Sequence, residues 1–349
     1  LPVCGRVSLT RPCFQSVRNR RRRCEQHSGS RVRAPVGARR VTLGSMTTLT
    51  ATPTLPLLEQ ARNIDDVVAN LDRIIAWSID SGSTMGYFAV LYKRATLAIR
   101  EAIRLRLFEN PDRMAEFDVL FAQRYFDALN AYLHPGEAGE PNLAWAVSFV
   151  GHDTRTTMLQ QMVAGLNAHI GFDLGVAAAA VPVSSMADLK NDFDAITGVL
   201  QTQVPDLVHT VERLSPGFRW FTRITPENRV IRGVLDRFRQ GAWLFAIDLA
   251  MNPDQARKLH VDHTSWTSAL GYWYLNPPRK PWTVVPLLVW LLGHGESSDV
   301  AANLRALDRT AERPADVRAA FPRRGRTGVT AGSVAREPIP VVRDRAAGR

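Results

Sequence analysis

Two residues with acid–base character stand four apart in an otherwise apolar stretch: His169 and Asp173, within Gly165-Leu166-Asn167-Ala168-His169-Ile170-Gly171-Phe172-Asp173-Leu174-Gly175. On a helix this spacing puts both side chains on one face, and Gln161 and Gly165 continue the same stripe. An imidazole and a carboxylate so placed can give two ligands to one divalent metal ion such as zinc, or act as an oriented base in a proton transfer. They can also form a structural buried pair that satisfies itself and fixes helix packing, since a buried charge must be partnered. A metal site would need one or two more ligands from other segments. The chain offers Asp127, His134, His152, His209 and His263. Arg124 and Asp127, three apart, read most simply as an intrahelical pair, and a buried pair there could line a pocket beside the same site.

Other groupings are weaker. Asp206, His209 and Glu212 are spaced three apart, but ferritin-like di-iron bundles use two Glu-x-x-His elements and only one approximate copy exists here. His260 and His263 fall where helical periodicity loosens, which favours a polar loop. Residues 264–292 collect Trp266, Tyr272, Trp273, Tyr274, Trp282 and Trp290 among prolines, a pattern more often of core than of a ligand site. A Gly-x-Ser-x-Gly nucleophile elbow, a phosphate-binding glycine loop with lysine and a dinucleotide fingerprint are all absent.

The elements that must carry these residues read as helix after helix. Ile64, Val67, Val68, Leu71, Ile74 and Ile75 recur at helical spacing behind an Asn63 N-cap. A second helix is expected from about Thr84 to Phe108. A third opens at Asn110-Pro111-Asp112 and puts Met114, Phe117, Phe121, Tyr125, Ala128 and Tyr132 on one face, with Gln123, Asp127, Asn130 and His134 opposite. Residues 156–181 are apolar nearly all round and end at Pro182, as the central helix of a bundle would, with glycines and alanines admitting close neighbours. Asn167, His169 and Asp173 interrupt this stretch, so it reads as a core helix and not as a membrane span. Further helices are expected to open at Ser185 and at Thr225. No strand alternation persists. The expected fold is all-α: a single multi-helix bundle around a central apolar helix, flanked by disordered basic tails.

Charge divides the chain in the same way. The formal net charge is +11, but residues 1–45 carry +10, residues 313–349 carry +6, and residues 46–312 carry −5. All three cysteines lie in the first 45 residues, which excludes thiol catalysis and thiolate–metal sites from the middle. The leader reads as a disordered Arg-rich extension or over-extended translation upstream of Met46, with a transit peptide as the alternative; no apolar run follows its arginines as a secretory signal requires. Neither tail interleaves aromatics with arginine, which argues against a nucleic-acid arm. A cytoplasmic, all-helical domain over residues 46–312 is therefore expected.

Three pieces are similar to one bacterial family: Gly86-Tyr87-Phe88-Ala89-Val90-Leu91-Tyr92, the segment from Arg113-Met114 to Leu129, and Leu166-Asn167-Ala168-His169-Ile170 with Asp173-Leu174-Gly175. The chain resembles domain of unknown function family 5995 over roughly residues 60–250. The resemblance implies a helical domain and brings no activity with it. An analogy to zinc-dependent phospholipase C and P1-type nucleases extends to helices and one His-x-x-x-Asp; a second such element and their N-terminal Trp ligand are missing at both Leu1 and Met46. Two functions remain open. One is a metal-assisted hydrolase with His169, Asp173, Asp127 and Arg124 at the site. The other is a non-catalytic helical protein that binds an apolar ligand or a partner through the Trp/Pro-rich region 264–292, with His169 and Asp173 as a structural buried pair.

Overall fold

Several helices start where a side chain accepts the first free backbone N–H groups. Asn63 accepts from the amides of Asp65 and Asp66 and opens α1 (Ile64–Ser81), which Gly82 ends in the left-handed conformation. α2 (Gly86–Arg104) is shorter than the expected 84–108. Asn110 accepts from the Arg113 amide at the start of α3 (Pro111–Leu133), with proline in the first turn. After α4 (Pro135–Ala138) and α5 (Leu143–Val150), Thr157 and Gln160 form a reciprocal capping box for α6 (Met158–Ala168). The computed structural model describes residues 54–153, 156–184, 186–224, 227–277 and 285–321. The expectations for residues 1–45, for caps at Ser185 and Thr225, and for most of the Arg-rich C-terminal tail lie outside these.

The central apolar segment is one rod from α6 through a π-helical turn, His169–Asp173, into α7 (Leu174–Ala180). By length and composition Met158–Ala180 could cross a membrane, yet 72% of its apolar 18-residue window is buried among its neighbours in the bundle. Two of its glycines set how close those neighbours come. A Cβ at Gly165 would lie 2.5 Å from the Phe88 ring, and one at Gly175 would lie 2.6 Å from Phe245 and 2.9 Å from the Ala242 carbonyl. The bundle closes with α8 (Met186–Leu214), α9 (Pro216–Ile224), α10 (Glu227–Met251), α11 (Ala256–Leu275), α12 (Val285–Gly293) and α13 (Val300–Ala311). No strand occurs among the described residues.

Residues 55–61 lie across Gln123, Asn130 and His134 on the polar face of α3, while Asp127 of that face stays exposed. The Leu58 amide and carbonyl both bond to the Asn130 side chain at 2.9 Å, the Ala61 amide bonds to Gln123, and His134 bonds to the Leu55 carbonyl at 2.7 Å. Two expectations change. His260 and His263 sit on regular helix α11, not in a loop, and that helix leaves Trp266, Tyr272 and Trp273 exposed where core was expected. Order also continues past Glu312. The buried Arg94 donates to the Arg313 carbonyl at 3.1 Å, Gln203 bonds both ways with the Ala315 backbone, and Phe321 packs on Phe108. Side-chain bonds from the bundle to backbone groups hold residues 313–321, which composition had assigned to the tail.

Candidate functional site

The π-helical turn brings the singled-out pair together. The Leu174 amide reaches back five residues to the His169 carbonyl, so one turn carries an extra residue. Within it Nδ1 of His169 lies 3.2 Å from Oδ2 of Asp173. Asp173 is fully buried and takes two further donors from other helices: Nε1 of Trp145 on α5 at 2.6 Å and Nε of Arg124 on α3 at 3.0 Å. Three donors from three elements thus converge on one buried carboxylate. His263 on α11 donates from Nε2 to the Gly171 carbonyl at 2.8 Å, so a second helix secures the same turn.

His169 sits in an aromatic box. Phe121 stacks on its ring at 3.6 Å between centroids, and Tyr92 meets it edge-on at 4.6 Å. Burial pushes its pKa below the ordinary histidine value; Asp173 opposes the shift and Arg124 adds to it. The imidazole is therefore neutral near pH 7 and carries its proton on Nδ1, toward Asp173. Nε2 is left as a buried atom with no hydrogen-bond partner.

Oδ2 of Asp118 on α3 is a second such atom, and the Tyr92 hydroxyl on α2 has only the Thr96 hydroxyl beside it; neither residue was expected at the site from the sequence. Burial alone raises the Asp118 carboxyl to about 7. His169, Tyr92 and Asp118 all line one cavity of ≈ 380 Å³. The rest of its wall is almost wholly apolar, including Leu91, Phe117, Leu166, Leu200, Val204 and Phe238. A signal for Asp118 did exist: it lies four residues after Met114 and three before Phe121, inside the apolar stripe of α3. For Trp145 and Tyr92 the types gave none, since buried aromatics are ordinary core.

Asp127 does not join this group. It is exposed on the opposite side of α3 and bonds Gln123 at 2.7 Å, while Arg124 turns to Asp173, so the expected Arg124–Asp127 pair is not formed. Asp127→Ala is expected to change unfolding free energy by less than about 0.5 kcal/mol in denaturant melts. A metal held by His169 and Asp173 does not fit either. Both Asp173 oxygens already accept from Arg124, Trp145 and His169, and among the described residues no group of three His, Cys, Asp or Glu is arranged to hold an ion. Of the other expected ligands, His134 bonds the Leu55 carbonyl, His263 the Gly171 carbonyl, and His209 is exposed beside Glu212. His152 lies 3.4 Å from the Tyr132 hydroxyl.

The fold and the site define an all-helical bundle with a buried, aromatic-boxed His–Asp pair beside an apolar cavity. A family model, described as a family of unknown function (DUF5995), matches residues 64–277, and the chain belongs to that family. No curated protein and no solved structure matches it.

Proposed function

We propose that this chain is a binding protein for an apolar small molecule, held in the cavity between α2, α3, α6, α8 and α10. The cavity itself carries the reading. Protein interiors pack with few voids larger than a water molecule. An apolar space of ≈ 380 Å³ is many times larger than these. The volume also falls in the roughly 300–1,000 Å³ range of ligand pockets. Leu91, Leu166, Leu200 and Val204 on its wall are only half-buried, and Val234 at its edge is 48% exposed, so the space reaches the surface along α10.

The metal-assisted hydrolase reading has less support, because Asp173 is taken up by three protein donors and among the described residues no group of three His, Cys, Asp or Glu stands where it could hold an ion. Titration of the full chain with Nile red, an uncharged apolar dye, tests the binding reading. Saturable binding near one dye per chain is expected. Leu200→Trp, which fills the cavity with an indole, should weaken it at least tenfold while the helical circular dichroism stays unchanged. Dye binding that is absent, or indifferent to Leu200→Trp, would overturn the proposal.

A further inference from the structure

Resting on the binding reading above, we infer that the ligand is a long apolar molecule headed by a single uncharged hydroxyl, of the fatty-alcohol, isoprenol or sterol kind, with the hydroxyl lodged among His169, Tyr92 and Asp118. These three come from three different elements, the π-helical turn, α2 and α3; His169 Nε2 and Asp118 Oδ2 each lack a partner, and the Tyr92 hydroxyl has only the Thr96 hydroxyl beside it. Buried polar atoms are almost always paired, so two unpaired ones on one cavity wall, with a hydroxyl between helices that can turn toward them, mark where a polar group of the ligand belongs.

Their protonation states select the head group. Nδ1–H of His169 is committed to Asp173, so Nε2 offers only a lone pair and calls for a donor. The Tyr92 hydroxyl, whose pKa is raised by burial and by the Asp118 and Asp173 charges, stays protonated and can donate. The Asp118 carboxyl, held up to about 7 by burial, is a second donor on the acid side of neutrality and an acceptor when ionised. An alcohol is both donor and acceptor: it gives its proton to Nε2 and accepts from Tyr92 or Asp118. A carboxylate has no proton for Nε2 and would stand beside Asp118, with Asp173 behind His169. An ether or ester accepts but cannot donate. An ammonium would meet Nε2 and Asp118 well, but Arg94 and Arg239 also line the cavity and oppose a cation.

Arg239 is the rival anchor. Its guanidinium is buried, its pKa is lowered to about 10 by desolvation, and its assigned partners are the uncharged Thr197 hydroxyl and Phe193 carbonyl. An anionic head would choose that end instead.

Displacement of Nile red by three ligands of one chain length, 1-dodecanol, dodecanoate and 1-methoxydodecane, separates these outcomes at pH 7. The alcohol is expected to displace the dye at about tenfold lower concentration than either of the others. His169→Phe, which keeps the stacking on Phe121 and loses Nε2, should bring alcohol and ether within about twofold. Tyr92→Phe gives an independent reading and should weaken the alcohol about threefold or more with little effect on the ether. Dodecanoate displacing best, with the preference lost in Arg239→Met, would overturn the hydroxyl inference and leave the cavity reading standing. Alcohol and ether binding equally to the unaltered protein would also overturn it. Failure of all three to displace a bound dye would overturn both readings.

Discussion

Asp173→Ala is expected to destabilise the protein by about 3–5 kcal/mol, the range for removing one partner of a buried ion pair. The carboxylate is the common acceptor for Arg124, Trp145 and His169, so its loss strands a guanidinium, an indole N–H and an imidazole N–H together. Equilibrium unfolding in urea checks this: the midpoint should fall with little change in slope. His169→Phe is the contrast. It keeps the ring over Phe121, leaves Asp173 with two donors and removes an unpaired atom, so it should cost under about 1.5 kcal/mol. The two variants also differ with pH. The folded pKa of His169 lies below that of an unfolded histidine, about 6.5, so at lower pH the unfolded chain takes up a proton that the folded chain excludes. Stability from this residue is present above about pH 6.5 and declines as pH falls; His169→Phe should abolish that part of the decline. A cost below about 1 kcal/mol for Asp173→Ala would show that the three donors find water or other acceptors.

How much of this was legible beforehand follows from which interactions are local. Helix starts at Asn63 and Asn110 depend on contacts within four residues and were readable from side-chain chemistry. So was the central rod, where apolar residues on every side leave burial as the only outcome. The His169–Asp173 contact was foreseen for the same reason, although the π-helical turn that shapes it has no sequence signature. The partners of Asp173 were only half visible. Arg124 is separated from it by 49 residues, and nothing in the spacing told whether it would face Asp173 or the nearer Asp127. Periodicity showed that α3 has a polar face but not that residues 55–61 would lie across part of it, because the matching bonds are backbone amides and carbonyls that every sequence possesses. The cavity was invisible as well. It results from Leu, Val and Phe on several helices failing to meet, and a space between side chains leaves no mark on the residues around it.

Asp118 should behave in the opposite way to Asp173, and Asp118→Leu is expected to stabilise the protein. Its carboxyl titrates near 7 when folded and near 3.9 when unfolded. Between those values the unfolded chain releases a proton that the folded chain keeps, so the stability present below about pH 4 is lost as pH rises through about 7. At about 1.4 kcal/mol per pH unit the loss approaches 4 kcal/mol by pH 8. Leucine removes this dependence and adds apolar contact, so at pH 8 the variant should be about 2–4 kcal/mol more stable, with a much smaller difference at pH 4. Thermal unfolding at both pH values measures it. The same change takes a polar atom away from the ligand's head group, so 1-dodecanol should bind several-fold more weakly. A residue whose replacement stabilises the fold and impairs binding is retained for the site, since packing alone would favour the leucine. Destabilisation at pH 8 would instead show that Asp118 is held by bonds within the bundle, and that its place on the cavity wall is a matter of packing.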